Sequence, residues 1–104
     1  MIRAEFYESK GLLSGFKISG HAGYAESGQD IVCAAVSSAV SLAANIITDG
    51  FHSDAQASDK GGAVVLTVKE PDEKTQAVLT MLEQQLKIIL EEFPKTIKIT
   101  ISEV

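Results

Sequence analysis

The sequence has few of the residues that build disulfide frameworks and metal clusters. Its 104 residues include one cysteine, two histidines, two prolines and no tryptophan. A single cysteine excludes an internal disulfide and every motif that needs a Cys pair, so dithiol redox chemistry and zinc fingers are ruled out. His52 and Asp54 share a candidate strand but lack further ligands at a suitable spacing. We therefore expect neither a metal nor another cofactor.

Positive charge is also scarce. Nine Lys and Arg face fourteen Asp and Glu, for a net charge of -5. Nucleic-acid-binding domains normally cluster cations on one face, so the composition predicts no direct nucleic-acid partner and favours a basic one, such as a basic peptide. No uninterrupted run of about 18 apolar residues is present, and Glu5 and Glu8 lie where a signal peptide would be apolar. We predict no membrane contact and a cytoplasmic location.

The length and the periodicity predict one domain over residues 1–104. Strand patterns form a hairpin over 2–19, a second hairpin over 51–70 and a closing strand over 96–104. Helical patterns fill the two intervals between them. The predicted order is β-β-α-β-β-α-β, and it indicates an α+β two-layer sandwich in which two helices pack on a mostly antiparallel sheet.

The first predicted helix carries the single cysteine near its start. Two signals compete for that start: Asp30 as the N-cap, or Ser27 with Asp30 as a capping box. Either one puts Cys33 within about the first two turns, where a helix N-terminus favours a thiolate. The preceding segment, Gly20 to Gly28, has three glycines and no regular period, which predicts a mobile loop.

His21 lies in that segment, twelve residues before Cys33. If the two side chains meet, Cys33 can act as a nucleophile with His21 as general base and then general acid toward a leaving amine, which is cysteine-protease chemistry. A lone cysteine in a helix rich in Ala and Val is, however, more often a small buried hydrophobe. A lone loop histidine is usually solvated. The residue types alone leave both alternatives open.

The surrounding residues favour the first alternative. The run "GHA" followed by "GQDIVCAAVSS" resembles the ribosomal-processing cysteine protease family. The matching positions are Gly20, His21, Ala22, Gly28, Asp30, Ile31, Val32, Cys33, Ala34, Ala35, Val36 and Ser37. The resemblance implies a homodimeric endopeptidase needed for ribosome assembly, which removes an N-terminal extension from the precursor of a large-subunit ribosomal protein. It also implies that Cys33 is the nucleophile and His21 the base.

Asp30 and Ser37 match supporting positions of the same family. Ser37 lies one turn after Cys33, so its hydroxyl could reach the thiolate or the substrate, or bond its own backbone. Asp30 could orient His21, cap the helix, or do both. The N-H groups of residues 31–33 could stabilise an oxyanion if they lie at the helix start.

The glycine-rich segment could close over a bound peptide and bring His21 into place. The residues expected to bind substrate or form this lid are Gly20, Ala22, Gly23, Tyr24, Glu26 and Gly28.

Two other functions stay open: a non-enzymatic, ribosome-associated module that binds a peptide, and a thiol-dependent hydrolase of a small amide. For the dimer, the contact could be the row Ile97, Ile99 and Ile101 or an open sheet edge.

Overall fold

The computed structural model describes the backbone of residues 1–20 and 26–104, and the side chains of residues 1–20 and 31–104. The strands and helices follow the predicted order. They are β1 (Ile2–Ser9), β2 (Leu12–Gly20), α1 (Glu26–Asn45), β3 (Ala55–Lys60), β4 (Ala63–Val68), α2 (Glu73–Glu92) and β5 (Ile97–Glu103). A π-helical turn, Ile46–Gly50, extends the end of α1.

The five strands form one sheet in the order β3-β4-β2-β1-β5. Three of its four pairings are antiparallel, and β5 pairs with β1 in parallel. The α+β prediction with a mostly antiparallel sheet is therefore confirmed. The parallel pair follows from the chain path, because α2 carries the chain across the sheet before β5 begins.

The core lies between the sheet and the two helices. Ile2, Ala4 and Phe6 alternate inward along β1 and are buried, as the period of two predicts. Phe6 lies opposite Phe16 on β2, and their rings meet edge to face with centroids 6.3 Å apart. An aromatic pair of this geometry contributes about 1 kcal/mol beyond the area that it buries.

Helix α2 begins at a capping box. The Asp72 carboxylate accepts a hydrogen bond from the Thr75 backbone N-H at 2.9 Å, and the Asp72 N-H donates to the Thr75 hydroxyl at 2.9 Å. The bond from the Thr75 N-H is the main cause that lowers the pKa of Asp72 below its usual value. Further along, Gln76 accepts a hydrogen bond from the Leu13 N-H at 2.9 Å, which ties the first turn of α2 to β2.

We expected no apolar segment long enough to span a membrane. By its length and composition, one helical segment contradicts this expectation. Residues Ile31–Gly50 have a mean hydropathy of 1.9 and a length that could span a bilayer. In this fold, however, one stripe of the segment is buried against the sheet. The buried stripe comprises Val32, Val36, Val40, Ala43 and Ile47. Burial of such a stripe is what a core helix of a two-layer domain requires.

Candidate active site

Helix α1 starts earlier than the capping signals predicted. It begins at Glu26, so Ser27 and Asp30 lie inside the helix and neither is its N-cap. Both candidate start signals are therefore wrong. They misled because Ser and Asp favour caps by local hydrogen bonding but are also tolerated inside a helix that packing stabilises.

Cys33 is consequently the eighth residue of α1, about 10 Å from its start at 1.5 Å per residue. The helix dipole acts mainly within the first turn, so it gives this thiol little help. The N-H groups of residues 31–33 lie in the helix interior, where helical hydrogen bonds to the preceding turn use them. The expectation that they lie free at a helix start to stabilise an oxyanion is wrong.

The Cys33 side chain is half-buried and packs against the hydrophobic core. Its neighbours Val32 and Val36 on α1 are fully covered. Cys33 is thus supported by packing without being fully covered. An accessible thiol on a rigid helix can serve as a nucleophile if a base reaches it.

Ser37 shares a flank of α1 with Cys33. The opposite flank lines an apolar groove between α1 and α2, and its α1 residues are Ala35, Ser38, Ala39, Leu42, Ala43 and Ile46. At 100° per residue, Cys33 and Ser37 lie on the side of α1 that is turned away from this groove. The prediction that they share a helix face is confirmed, and Ser37 is exposed.

The helix-bearing face of the sheet is only partly covered. Helix α2 contacts β2 and β5, whereas the turn that ends α1 contacts β3. Ala57 of β3 lies opposite the buried Leu66 and therefore on the helix-bearing face of the sheet. Ala57 and Asp59 are nevertheless exposed. These residues form an uncovered shelf along an edge strand.

Sequence reasoning missed this shelf. The small alternating residues of "AQAS" were the available signal, but their place on the helix-bearing face depends on the pairing of β3 with β4, which joins residues through the register of the sheet.

Gly20 fixes the point at which the chain leaves β2 toward His21. It is the last residue of that strand and has a φ of 86°, and an added Cβ would overlap the Met1 carbonyl oxygen. Only glycine fits this backbone position without strain. Gly20 is thus part of the sheet and Gly28 and Glu26 are part of α1, so the loop prediction over 20–28 is wrong at both ends.

The described residues do not include the predicted base, His21, or the other predicted lid residues, Ala22, Gly23 and Tyr24. The side chains of Glu26 and Asp30 also lie outside the described part of the chain. The approach of His21 to Cys33 and the supporting role of Asp30 stay predictions.

The expected strand containing His52 and Asp54 is not present, because β3 begins only at Ala55. His52 has a left-handed φ of 53°, so the two side chains do not share a strand face. Asp54 instead lies 3.9 Å from the Lys69 ammonium in an exposed ion pair. Among the side chains that the structure describes, no group of three or more His, Cys, Asp or Glu could hold a metal ion.

Comparison with known proteins identifies the family. The family model for cysteine protease Prp matches residues 1–98. The chain belongs to the Prp cysteine protease family. A relative from Bacillus subtilis, the ribosomal processing cysteine protease Prp, is 33% identical over 109 aligned positions that cover 96% of each chain. The family resemblance seen in the sequence is thereby confirmed.

Several solved structures share the fold. The Staphylococcus aureus ribosomal processing protease Prp, in complex with a covalently linked product peptide, superposes with a TM-score of 0.85 at 24% identity, covering 98% of this chain and all of that one. The same protease has been solved with a substrate peptide. A protein from Streptococcus mutans gives a TM-score of 0.79 at 28% identity, covering 100% of this chain and 96% of its own.

Proposed function

We propose that this Prp-family protease removes the N-terminal extension from the precursor of a large-subunit ribosomal protein, with Cys33 as nucleophile and His21 as base. The observation that carries the proposal is the half-buried Cys33 of α1, in a chain whose residues 1–98 match the model for cysteine protease Prp. The Staphylococcus aureus relative, with its covalently linked product peptide, supports a peptide as the substrate.

In the proposed reaction, His21 takes the proton from the Cys33 Sγ, and the thiolate attacks the carbonyl carbon of the scissile peptide bond. The tetrahedral intermediate collapses, the C-N bond breaks, and His21 returns the proton to the leaving amine. The acyl group is then held on Cys33 as a thioester. Water attacks the thioester while His21 accepts its proton, and the thiol is restored with release of a carboxylic acid.

The position of Cys33 in the third turn of α1 supports the proposal that a side chain activates it. Because the helix N-terminus is about 10 Å away, the dipole does not supply the activating charge. An imidazole beside the thiol would supply it. We propose that Asp30 orients this imidazole and that Ser37, on the Cys33 flank, donates its hydroxyl to the thiolate or to the substrate.

The uncovered shelf suits an extended peptide. The outer edge of β3 has no partner strand in the described sheet, so a peptide can add to it through backbone hydrogen bonds. The small side chains of Ala55 and Ala57 leave room for substrate side chains, and Asp59 offers a carboxylate to a basic one. We propose that residues 20–28, including Ala22, Gly23 and Tyr24, contact the peptide from the other side.

Incubation of purified protein with the full-length ribosomal-protein precursor, followed by mass spectrometry, tests this proposal. We expect a single cut that separates the N-terminal extension, and no cut with Cys33→Ala or His21→Ala. Ser38→Ala is the matched control, because Ser38 lies on the groove side of α1. Equal cleavage by Cys33→Ala would refute the nucleophile. Tight binding of the precursor without any cleavage would instead support a peptide-binding module.

We also propose a cytoplasmic homodimer. The row Ile97, Ile99 and Ile101 does not supply an apolar contact face, because Ile97 is buried and Ile99 is half-buried in the core. The groove between α1 and α2, of about 710 Å³, is a better candidate. Leu42 and Met81 on its rim are 62% and 60% exposed. Sedimentation should show a dimer that Leu42→Glu dissociates, and a monomer of the unaltered chain would contradict it.

A further inference from the structure

The face of the sheet that carries no helix has an ordered set of charges. The outward residues of the five strands lie in transverse rows that the strand registers define. One row crosses the whole sheet and consists of Lys60, Ala63, Ser19, Arg3 and Lys98. The next row consists of Ser58, Val65, Lys17, Glu5 and Thr100. We call the surface formed by these two rows the basic face.

The basic face has the opposite sign to the rest of the chain. It holds four of the nine cations and one of the fourteen acidic residues. Its formal charge is therefore +3, which leaves -8 for the remaining residues of a chain whose net charge is -5. The net charge of the whole chain hides this separation of positive from negative residues. The expectation of no nucleic-acid partner depended on that net charge.

Two cations at the β5 edge of the basic face lie side by side. Arg3 lies directly opposite Lys98 on the neighbouring strand, an arrangement of like charges that destabilises a sheet. Within the described ranges, the ion pairs are Lys69 with Asp54 and Lys87 with Glu83, so no carboxylate there neutralises Arg3 or Lys98. An external anion would offset this repulsion.

The single carboxylate of the basic face is engaged elsewhere. Glu5 accepts hydrogen bonds from the Ser102 hydroxyl at 2.8 Å and from the Tyr7 hydroxyl at 3.3 Å. Both donors lie in the following row, away from Arg3 and Lys98. Burial, followed by the charge of Glu5, raises the pKa of Tyr7, so this phenol stays a donor at neutral pH. These two bonds direct the Glu5 carboxylate toward the following row, while Lys17 lies directly opposite Glu5 on β2.

A shallow cleft of about 360 Å³ lies between these side chains. Its lining comprises Arg3, Glu5, Lys17, Ser19, Lys98 and Thr100. The exposed cations supply charge, and the hydroxyls of Ser19 and Thr100 supply uncharged donors. The chemistry of the lining suits an oxyanion such as a phosphate group.

We propose that the basic face binds the phosphate backbone of RNA. The cationic row spans four strand spacings, about 19 Å, which is too long for one phosphate group and fits several consecutive phosphodiesters. This step rests on the proposed function, in which the substrate is the precursor of a ribosomal protein, a class of protein that binds RNA. A backbone contact on the face opposite the helices would hold the enzyme beside such a substrate while leaving Cys33 free. The contact is non-specific in sequence, because only phosphates are read.

Fluorescence anisotropy with a labelled single-stranded RNA of about 20 nucleotides, in about 20 mM salt, tests the proposal. We expect binding whose affinity falls steeply with salt, with a log-log slope of about -2 to -3 for three or four phosphate contacts. Arg3→Gln with Lys98→Gln should weaken it by about tenfold or more. Arg3→Lys with Lys98→Arg, which keeps both charges, should retain most of it.

The matched control is Lys74→Gln with Lys87→Gln, two cations of α2 on the other side of the sheet. This variant changes the net charge equally and should alter RNA affinity by less than about twofold. Absence of binding by the unaltered chain, an equal loss in the control, or equal competition by polyglutamate would overturn the proposal. Cleavage of a short peptide, measured on both double variants, tests the protease function separately and should be unchanged.

Discussion

Both helices are 20 residues long and cover the same face of the sheet, but they use their residues differently. Helix α2 begins at a capping box and buries large aliphatic side chains, among them Leu79, Leu82 and Leu86. Helix α1 buries mainly valine and alanine, and it carries the half-buried Cys33 and the exposed Ser37. We infer that α2 chiefly stabilises the fold while α1 presents the chemistry.

The difference also explains which parts of the molecule the sequence predicts. The limits of α2 follow from local signals: Pro71 and Asp72 at its start, and Pro94 after its end. The start of α1 could not be predicted from local signals in the same way. Ser27 and Asp30 both resemble N-caps, yet the helix continues through them. Where local signals are of similar strength, tertiary packing decides where the helix begins.

The largest predicted effect concerns the α1 flank. Cys33→Ala should lower precursor cleavage by on the order of 10⁴-fold or more, because no other thiol is present in the chain. Its thermal unfolding should change little, since Cys33 is only half-buried. Timed digests analysed by mass spectrometry measure the first effect and calorimetry the second. Residual cleavage within tenfold of the unaltered chain would break the assignment of chemistry to α1.

The second effect concerns α2. Leu86 is fully buried, so Leu86→Ala should lower the free energy of unfolding by about 3 kcal/mol. Cleavage per folded molecule should stay the same, because Leu86 lies on α2 and away from the Cys33 flank. Urea titration measures the free energy of unfolding, and activity normalised to the folded fraction measures cleavage per folded molecule. A loss below about 1 kcal/mol would contradict the stabilising role of α2.

A smaller effect separates the two flanks of α1. Ser37→Ala should reduce kcat by about tenfold with little change in KM, since a hydrogen bond to a charged group contributes about 1.5 kcal/mol. Ser38→Ala, one residue along and facing the groove, should leave both constants unchanged. Steady-state kinetics on the precursor peptide distinguish them. Equal kcat and KM values for the two variants would contradict a role of the Ser37 hydroxyl in the reaction.

The smallest effect concerns the cap of α2. The folded-state pKa of Asp72 is lowered, so its ionised form stabilises the fold above the unfolded value, and this contribution is lost as pH falls through the folded pKa. Asp72→Asn keeps a capping side chain without the charge. The melting temperature of the unaltered chain should exceed that of the variant at pH 6, and the difference should shrink as the pH falls through the folded-state pKa of Asp72. A constant difference across that range would contradict the cap assignment.

The candidate site was only partly predictable. The shared flank of Cys33 and Ser37 follows from a spacing of four residues, which a helix places on one side. The shelf of β3, the parallel pairing of β5 with β1 and the cations gathered from four strands all join residues distant in sequence. These features depend on strand register, and no local pattern specifies which strands become neighbours.

Alkylation of Cys33 tests the central claim most directly, because that claim makes the thiol a nucleophile activated by a side chain. The rate of iodoacetamide modification at neutral pH can be followed by intact mass, since the chain has one cysteine. We predict that His21→Ala slows modification by about tenfold or more, while His52→Ala, the change of the other histidine, leaves it unaltered. Equal rates in all three proteins would contradict the account and make Cys33 a packing residue of α1.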